Sequence, residues 1–221
     1  MYKMRLKAVC FDMDGVIVDT MPHHVKAWHH AFLREGHEIE ERVFFEREGM
    51  PGMKTIKDVN ILRELNLTQN QMDQIYDEKR AFFKQNAQYD FLEETVKTAQ
   101  FLKKSGVTIA LATGSRREFV TEILSQLSFT FDAVITGDDV NVGKPSPEPY
   151  LGIAEKFPFH KKEWLVIENA PLGITSAKRA EMEVWALETT LSADFLKEAD
   201  KILKKEELHQ AVRDKLEEDI R

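Results

Sequence analysis

No stretch constrains this chain as much as Phe11-Asp12-Met13-Asp14-Gly15, which follows the apolar run Ala8-Val9-Cys10 without a break. An apolar run that ends abruptly in two carboxylates one residue apart, then a glycine, looks like a buried strand ending at a site. In a strand, alternate residues share a face, so Asp12 and Asp14 are expected to point the same way with only Met13 between them. Two like charges held that close persist only if a cation sits between them or one keeps its proton. The pair is therefore a candidate metal and acid/base site. The competing reading is a turn whose aspartates cap a following helix.

The rest of the chain alternates between two textures. Residues 6–11 read as a first strand, after which helical spacing runs through 24–34, 42–48, 55–65 and 70–85, with Thr68-Gln69-Asn70 as a helix start. Gly49-Met50-Pro51-Gly52 breaks that run and calls for a shaped loop. From residue 93 the pattern becomes helix 93–104, strand 107–112, helix 117–127, strand 133–135, helix 149–157, strand 164–167, helix 172–181 and strand 184–187. Strands alternating with helices imply a parallel sheet covered on both faces. The expected architecture is α/β, a Rossmann-like parallel sheet core (residues 1–16 and 87–221) with an inserted all-helical domain (residues 17–86). The segment 193–221 reads as charged helix, with Leu208, Val212, Leu216 and Ile220 forming one narrow apolar stripe suited to docking on the core.

Composition narrows the partners. A net charge of −7, spread along 221 residues rather than gathered in blocks, argues against nucleic acid or an anionic membrane. No apolar run approaches a membrane span and the first seven residues lack a signal-peptide core, so the cytoplasm is the expected location. The single cysteine, Cys10, falls inside the apolar run and is expected to be a small buried hydrophobe. A monomer or weak homodimer is expected.

Ligands of open parallel sheets bind at the carboxyl ends of the strands. Asp12 and Asp14 follow the first strand, Thr113-Gly114-Ser115 the second, and Thr136-Gly137-Asp138-Asp139, then Gly143-Lys144-Pro145, the third. Glu168 and Asn169 follow the fourth. Each has an ordinary reading as a cap, a solvated lysine or a turn, but all of them at one sheet edge point to phosphoryl transfer through an aspartyl-phosphate on Asp12. Lys144 and Mg²⁺ would supply positive charge and Thr113 a hydrogen bond. Mg²⁺, which takes oxygen ligands, suits Asp12, the backbone carbonyl of Asp14, Glu168 and Asn169. Asp14 would be the general acid and then the base.

DMDGVIVDT, ATGS, GKPSPEPY and VIENAPLGI, in this order, resemble the four motifs of the haloacid dehalogenase superfamily, specifically its β-phosphoglucomutase-like phosphatase branch. The resemblance covers nearly the whole chain. It implies Asp12 as nucleophile, Asp14 as acid/base, Thr113 and Lys144 as the second- and third-motif residues, and Glu168 with Asn169 as the metal-binding fourth motif. It also implies a helical cap that closes over a small phosphorylated metabolite through linkers near 17–21, where Thr20 is a hinge, and 86–91.

Two departures bear on function. The branch commonly carries Glu-Asp in its fourth motif, whereas this chain has Glu168-Asn169, one negative charge fewer; weaker metal binding and a more anionic substrate, such as pyrophosphate or a sugar bisphosphate, are expected. In the cap, Arg47-Glu48-Gly49 places a carboxylate where the mutases present a lysine, and no arginine follows. That favours hydrolysis over mutase chemistry, although Lys54 could replace the missing grip. His24 is expected to face the substrate, as are Glu48, Gly114, Ser115 and Arg116. His23, His29 and His30 cannot converge with His24 on one metal, given helical geometry. The alternatives are a phosphohexomutase using the same aspartates and a catalytically silent binding module, to which only Asn169 points.

Overall fold

The computed structural model describes residues 6–220, apart from the side chain of Ile220. Between the first two strands lie α1 (Met21–Arg34), α2 (Glu41–Phe45), α3 (Gly52–Leu62) and α4 (Gln69–Asn86). Among the described residues six strands, β1 (Ala8–Phe11), β2 (Thr108–Ala112), β3 (Ala133–Ile135), β4 (Trp164–Glu168), β5 (Glu183–Leu187) and β6 (Lys201–Leu203), form one parallel sheet. Their order, β3-β2-β1-β4-β5-β6, is that of Rossmann-type folds, with β1 at the point where the connections reverse direction. Among the described residues five helices cover the sheet: α5 (Glu93–Lys104), α6 (Arg117–Leu124), α7 (Glu148–Ala154), α8 (Pro171–Arg179) and α9 (Leu208–Ile220).

Strand residues alternate between two hydrophobic clusters. Val9, Phe11, Ile109, Leu111, Leu165 and Ile167 join residues of α5, α6 and α9. Ala8, Cys10, Ala110, Ala112, Trp164 and Val166 join α7 and α8. The second face carries mostly small residues on β1 and β2, and α7 packs over β2 and β3 while α8 packs over β4 and β5. Cys10 is a buried free thiol whose pKa is raised by burial. Leu208 and Val212 are fully buried in the first cluster and Leu216 packs against it, so the C-terminal stripe docks on the core; the side chain of Ile220 lies outside the described residues.

One expectation fails at the C-terminus. Helix does not run through 193–221; β6 pairs with β5, and α9 begins only at Leu208. Three residues are too few to show period-2 alternation, and the existing edge of β5 supplies the order that sequence pattern could not.

Helices α1–α4 enclose a cluster of their own, built on Val25, Trp28, Phe32, Phe44, Ile56 and Ile75. α4 starts at the expected place through a capping box, with the Thr68 hydroxyl accepting from the Gln71 N–H and the Gln71 side chain accepting from the Thr68 N–H. α2 ends at Phe45 rather than 48, and α3 begins at Gly52, leaving a turn with Gly49 at φ +77°. The chain crosses between this cluster and the sheet twice, side by side: Asp19 N–H donates to Asp90 O at 2.8 Å, and Leu92 N–H to Ile17 O at 2.9 Å.

Candidate active site

Strand register brings the first two functional groups together. Phe11 of β1 pairs with Ile167 of β4, and Asp12 N–H donates to Ile167 O at 3.0 Å. The next residue of each strand, Asp12 and Glu168, therefore leaves on the same face, side by side. Lys144, from the loop before α7, is 4% exposed and puts its Nζ 2.5 Å from Asp12 Oδ1 and 2.6 Å from Glu168 Oε1. The Tyr150 hydroxyl donates to the same Glu168 oxygen at 2.8 Å, while Glu168 Oε2 accepts from Asn169 N–H (2.8 Å) and Ala170 N–H (3.1 Å). With two lone-pair positions per oxygen, Glu168 has its acceptor capacity filled by protein donors. Helix α8 closes over it so tightly that a methyl at Gly173 would lie 1.6 Å from Glu168 Oε1.

Asp14 reaches the site by a different route from the one its spacing suggests. It lies beyond the end of β1, in a turn where the N–H groups of Val16, Ile17 and Val18 converge on Met13 O. The turn, rather than strand alternation, directs it into the cavity that Asp12 also lines. The turn needs its glycine, for Gly15 has φ +77° and an added Cβ would meet Asn169 Nδ2 at 2.1 Å. Asp14 Oδ2 accepts from Ser115 Oγ at 2.7 Å and Thr113 Oγ1 at 3.5 Å, and Oδ1 from the buried Thr20 hydroxyl, with His24 Nε2 at 3.4 Å.

These surroundings set the two aspartates apart. Burial, aided by Glu168 and Asp14, raises Asp12 to about 7 even though Lys144 pulls the other way. Burial would raise Asp14 too, but hydrogen bonds from His24, Thr20 and Ser115 outweigh it and hold that carboxyl at about 2. His24 is itself pushed down to about 4 by burial and by Lys79, against the pull of Asp14. It is neutral at pH 7, so what it offers Asp14 is a hydrogen bond rather than a charge. The Lys79 ammonium, 3.0 Å from His24 Nδ1, requires that nitrogen to be the acceptor and leaves the ring proton on Nε2, facing Asp14.

The fourth-motif amide meets a residue from the helical segment. Glu48, only 4% exposed, accepts from Asn169 Nδ2 at 2.6 Å. The other oxygen of each group, Glu48 Oε2 and Asn169 Oδ1, is buried without a hydrogen-bond partner. Burial raises the Glu48 carboxyl well above its ordinary range, with Asp12, Glu168 and Asp14 adding to the rise against the Asn169 hydrogen bond. Glu48 thus places a second carboxyl group directly against the fourth-motif amide. Four carboxylates, those of Asp12, Asp14, Glu48 and Glu168, meet one ammonium at the centre. That imbalance is what a divalent cation offsets, and two unpartnered buried oxygens are the ligand type that Mg²⁺ takes.

Asp12, Asp14, His24, Glu48, Lys79, Thr113, Ser115, Lys144 and Glu168 line a cavity of about 490 Å³ that continues between α1 and α4 toward Trp28, Tyr76 and Arg80, while Thr20, Tyr150 and Asn169 lie behind that lining. Gly114 and Gly49 lie across it, an added Cβ at Gly114 falling 3.8 Å from Gly49 O. Arg116 also lines it, half-turned to Asp138 at 3.4 Å. Arg47 spends its guanidinium on Asp58 and Val43 O, both at 2.7 Å. Lys54 is exposed and is not part of the lining. The remaining histidines go elsewhere: His29 Nδ1 lies 3.0 Å from Ile39 O, and His30 pairs with Glu78 at 2.9 Å. Sequence pattern alone missed Lys79, Tyr150 and Thr190, whose hydroxyl lies 3.4 Å from Asn169 Nδ2. The only signal for Tyr150 was its place at the end of GKPSPEPY.

Residues 6–181 match the family model described as haloacid dehalogenase-like hydrolase. A phosphorylated carbohydrates phosphatase of Thermotoga maritima is 30% identical over 80% of this chain and 83% of its own. The validoxylamine A 7'-phosphate phosphatase of Streptomyces hygroscopicus subsp. limoneus is 28% identical over 92% and 94%. A solved structure from Bacteroides vulgatus, described provisionally as a beta-phosphoglucomutase, superposes with a TM-score of 0.87 at 30% identity, covering 98% of this chain and 91% of that one. The chain belongs to the haloacid dehalogenase-like hydrolases and has the fold of their β-phosphoglucomutase-like phosphatases.

Proposed function

We propose that this protein is a Mg²⁺-dependent phosphatase that hydrolyses a small phosphorylated sugar through a phosphoryl group carried transiently on Asp12. The observation that carries the reading is the Lys144 ammonium 2.5 Å from Asp12 Oδ1, with Asp14 lining the same cavity. Asp12 attacks phosphorus while Asp14 protonates the leaving oxygen; Asp14 then takes a proton from the water that attacks phospho-Asp12. Asp14 is held ionised by its donors, so its acid role requires substrate to claim the Ser115 and Thr113 hydroxyls and release it. Lys144 stays against the developing charge.

Asp12, the carbonyl of Asp14, Asn169 and Glu48 would hold Mg²⁺, which when bound offsets phosphoryl charge. Glu168 would contribute through Lys144 rather than as a direct ligand. Residues 17–86 act as a cap, and because Glu48 comes from it, closure and metal retention are coupled. No helix among the described residues is long and apolar enough to cross a membrane.

Relatives named for carbohydrate phosphates support the sugar, as does a cavity much larger than a pyrophosphate needs. The paired state of Arg47 and the exposure of Lys54 favour hydrolysis over a mutase that must grip a second phosphate. The test is a panel of hexose and pentose monophosphates, a hexose bisphosphate and pyrophosphate, measuring both free phosphate and isomer. Monophosphates are expected to release phosphate with the highest kcat/KM and no isomer. Accumulated isomer would establish the mutase, preferred pyrophosphate would overturn the sugar, and no release at all would leave a binding module.

Metal binding is also expected to couple to pH. A carboxyl whose pKa is raised in the folded protein adds stability below its unfolded pKa and loses it as pH climbs through the folded one. For Asp12, raised from 3.8 to about 7, the window is pH 4–7; Asp14 acts in the opposite sense, below pH 4. The Tm of the metal-free protein should therefore fall from pH 5 to pH 8. Saturating Mg²⁺ should raise Tm at pH 8 by about 5–10 °C, and less at pH 5, where it competes with protons. An equal Mg²⁺ effect at both pH values would count against these carboxylates as its ligands.

A further inference from the structure

Lys144 faces two carboxylates, and the chemistry needs it on only one of them. Its ammonium lies between Asp12 at 2.5 Å and Glu168 at 2.6 Å, nearly symmetrically. Nothing in that pair alone keeps the charge from settling on Glu168, away from the nucleophile. Tyr150 breaks the symmetry. Its side chain is fully buried, its hydroxyl donates to the Glu168 oxygen that Lys144 also contacts, and its ring lies under the ammonium, with Nζ 5.1 Å from the ring centroid.

We infer that Tyr150 is a positioning residue for phosphoryl transfer, holding the Lys144 ammonium on Asp12 by satisfying Glu168 and presenting a ring face beneath Nζ. This rests on the phosphatase reading above. The hydroxyl takes part of the Glu168 oxygen's negative charge, which weakens that oxygen's hold on Lys144, while the ring stabilises the cation where it stands. Glu168 Oε2 is already tied to two backbone N–H groups, so the carboxylate cannot rotate to compensate. Tyr150 sits on α7, one helix after the loop that carries Lys144, so packing of that helix against β2 and β3 sets both residues together.

Tyr150 touches none of the groups proposed to hold Mg²⁺, and Glu168 Oε1 keeps Lys144 when the hydroxyl is removed. The role of Tyr150 is therefore expected to show in turnover and not in metal affinity, which separates it from a general structural effect.

The experiment compares the full chain with Tyr150→Phe, which keeps the ring and loses the hydroxyl, and Tyr150→Met, which loses both. For Tyr150→Phe with p-nitrophenyl phosphate and saturating Mg²⁺, kcat should fall about tenfold with KM within about twofold. Vanadate, which mimics the five-coordinate phosphorus, should inhibit about tenfold less well, in step with kcat. The Mg²⁺ dissociation constant, measured by calorimetry without substrate, should be unchanged. Tyr150→Met should lose more turnover still. Unaltered kcat and vanadate inhibition in both variants, or a fall in Mg²⁺ affinity that accounts for the lost turnover, would overturn the role while leaving the phosphatase reading intact. A parent protein that releases no phosphate would overturn both.

Discussion

Asp12→Asn should abolish phosphate release, by roughly 10⁴-fold or more, in a protein that still folds. The amide is nearly isosteric and can still accept from Lys144 through its oxygen, but it has no anionic lone pair with which to attack phosphorus. Folding should be kept because the substitution removes a buried carboxylate that burial already pushes up to about 7. In the metal-free protein at pH 8 the variant is expected to melt no lower than the parent. Phosphate release and intact-mass analysis after acid quenching check this together: the parent should carry a phosphoryl adduct and the variant none. Residual turnover within tenfold of the parent would remove Asp12 as the nucleophile.

Lys144→Met should cost both stability and turnover. The methionine keeps most of the apolar stem but deletes the charge shared by two carboxylates whose side chains are 10% and 1% exposed. Removing one partner of a buried ionic group costs about 3–5 kcal/mol, because the other partner is left desolvated and unpaired. The loss should be smaller at pH 5 than at pH 8, since Asp12 can then keep its proton and share it with Glu168. Turnover should fall about 10²–10³-fold, and the acidic limb of the pH–rate profile should move to higher pH, because Lys144 is what holds Asp12 down. Urea unfolding at the two pH values and a pH profile of kcat/KM check this. A variant as stable as the parent at pH 8 would mean that the ammonium is not the partner of these carboxylates.

Much of the site could be read from residue order because a parallel sheet makes short-range pattern informative. Its strands are buried on both faces and read as apolar runs, and the residues just after each run lie at the ligand-binding edge. Asp12, Thr113, Lys144 and Glu168 are found that way, and the Thr68 cap locates α4 for an equally local reason. The β6 strand was illegible because three residues carry no period of their own. The Glu48–Asn169 contact, spanning 121 residues, reads in the sequence as two separate departures because neither residue's neighbours hint at the other. Lys79 was invisible for the same reason: its significance lies in the His24 ring across the helix pair.

The order of residues by itself determined that this chain forms a parallel α/β sheet with helices inserted after the first strand, and which carboxylates and which lysine lie at the strand ends. Those are consequences of periodicity and chain direction, which are local properties. Only the tertiary structure decided that Lys144 lies between Asp12 and Glu168, that Glu48 meets Asn169, and that Asp14 is held ionised while burial raises Asp12. Each of these depends on burial and on distances of a few ångströms between segments far apart in the chain. Electrostatic energies in a desolvated site change steeply over such distances, and nothing in the local sequence encodes them.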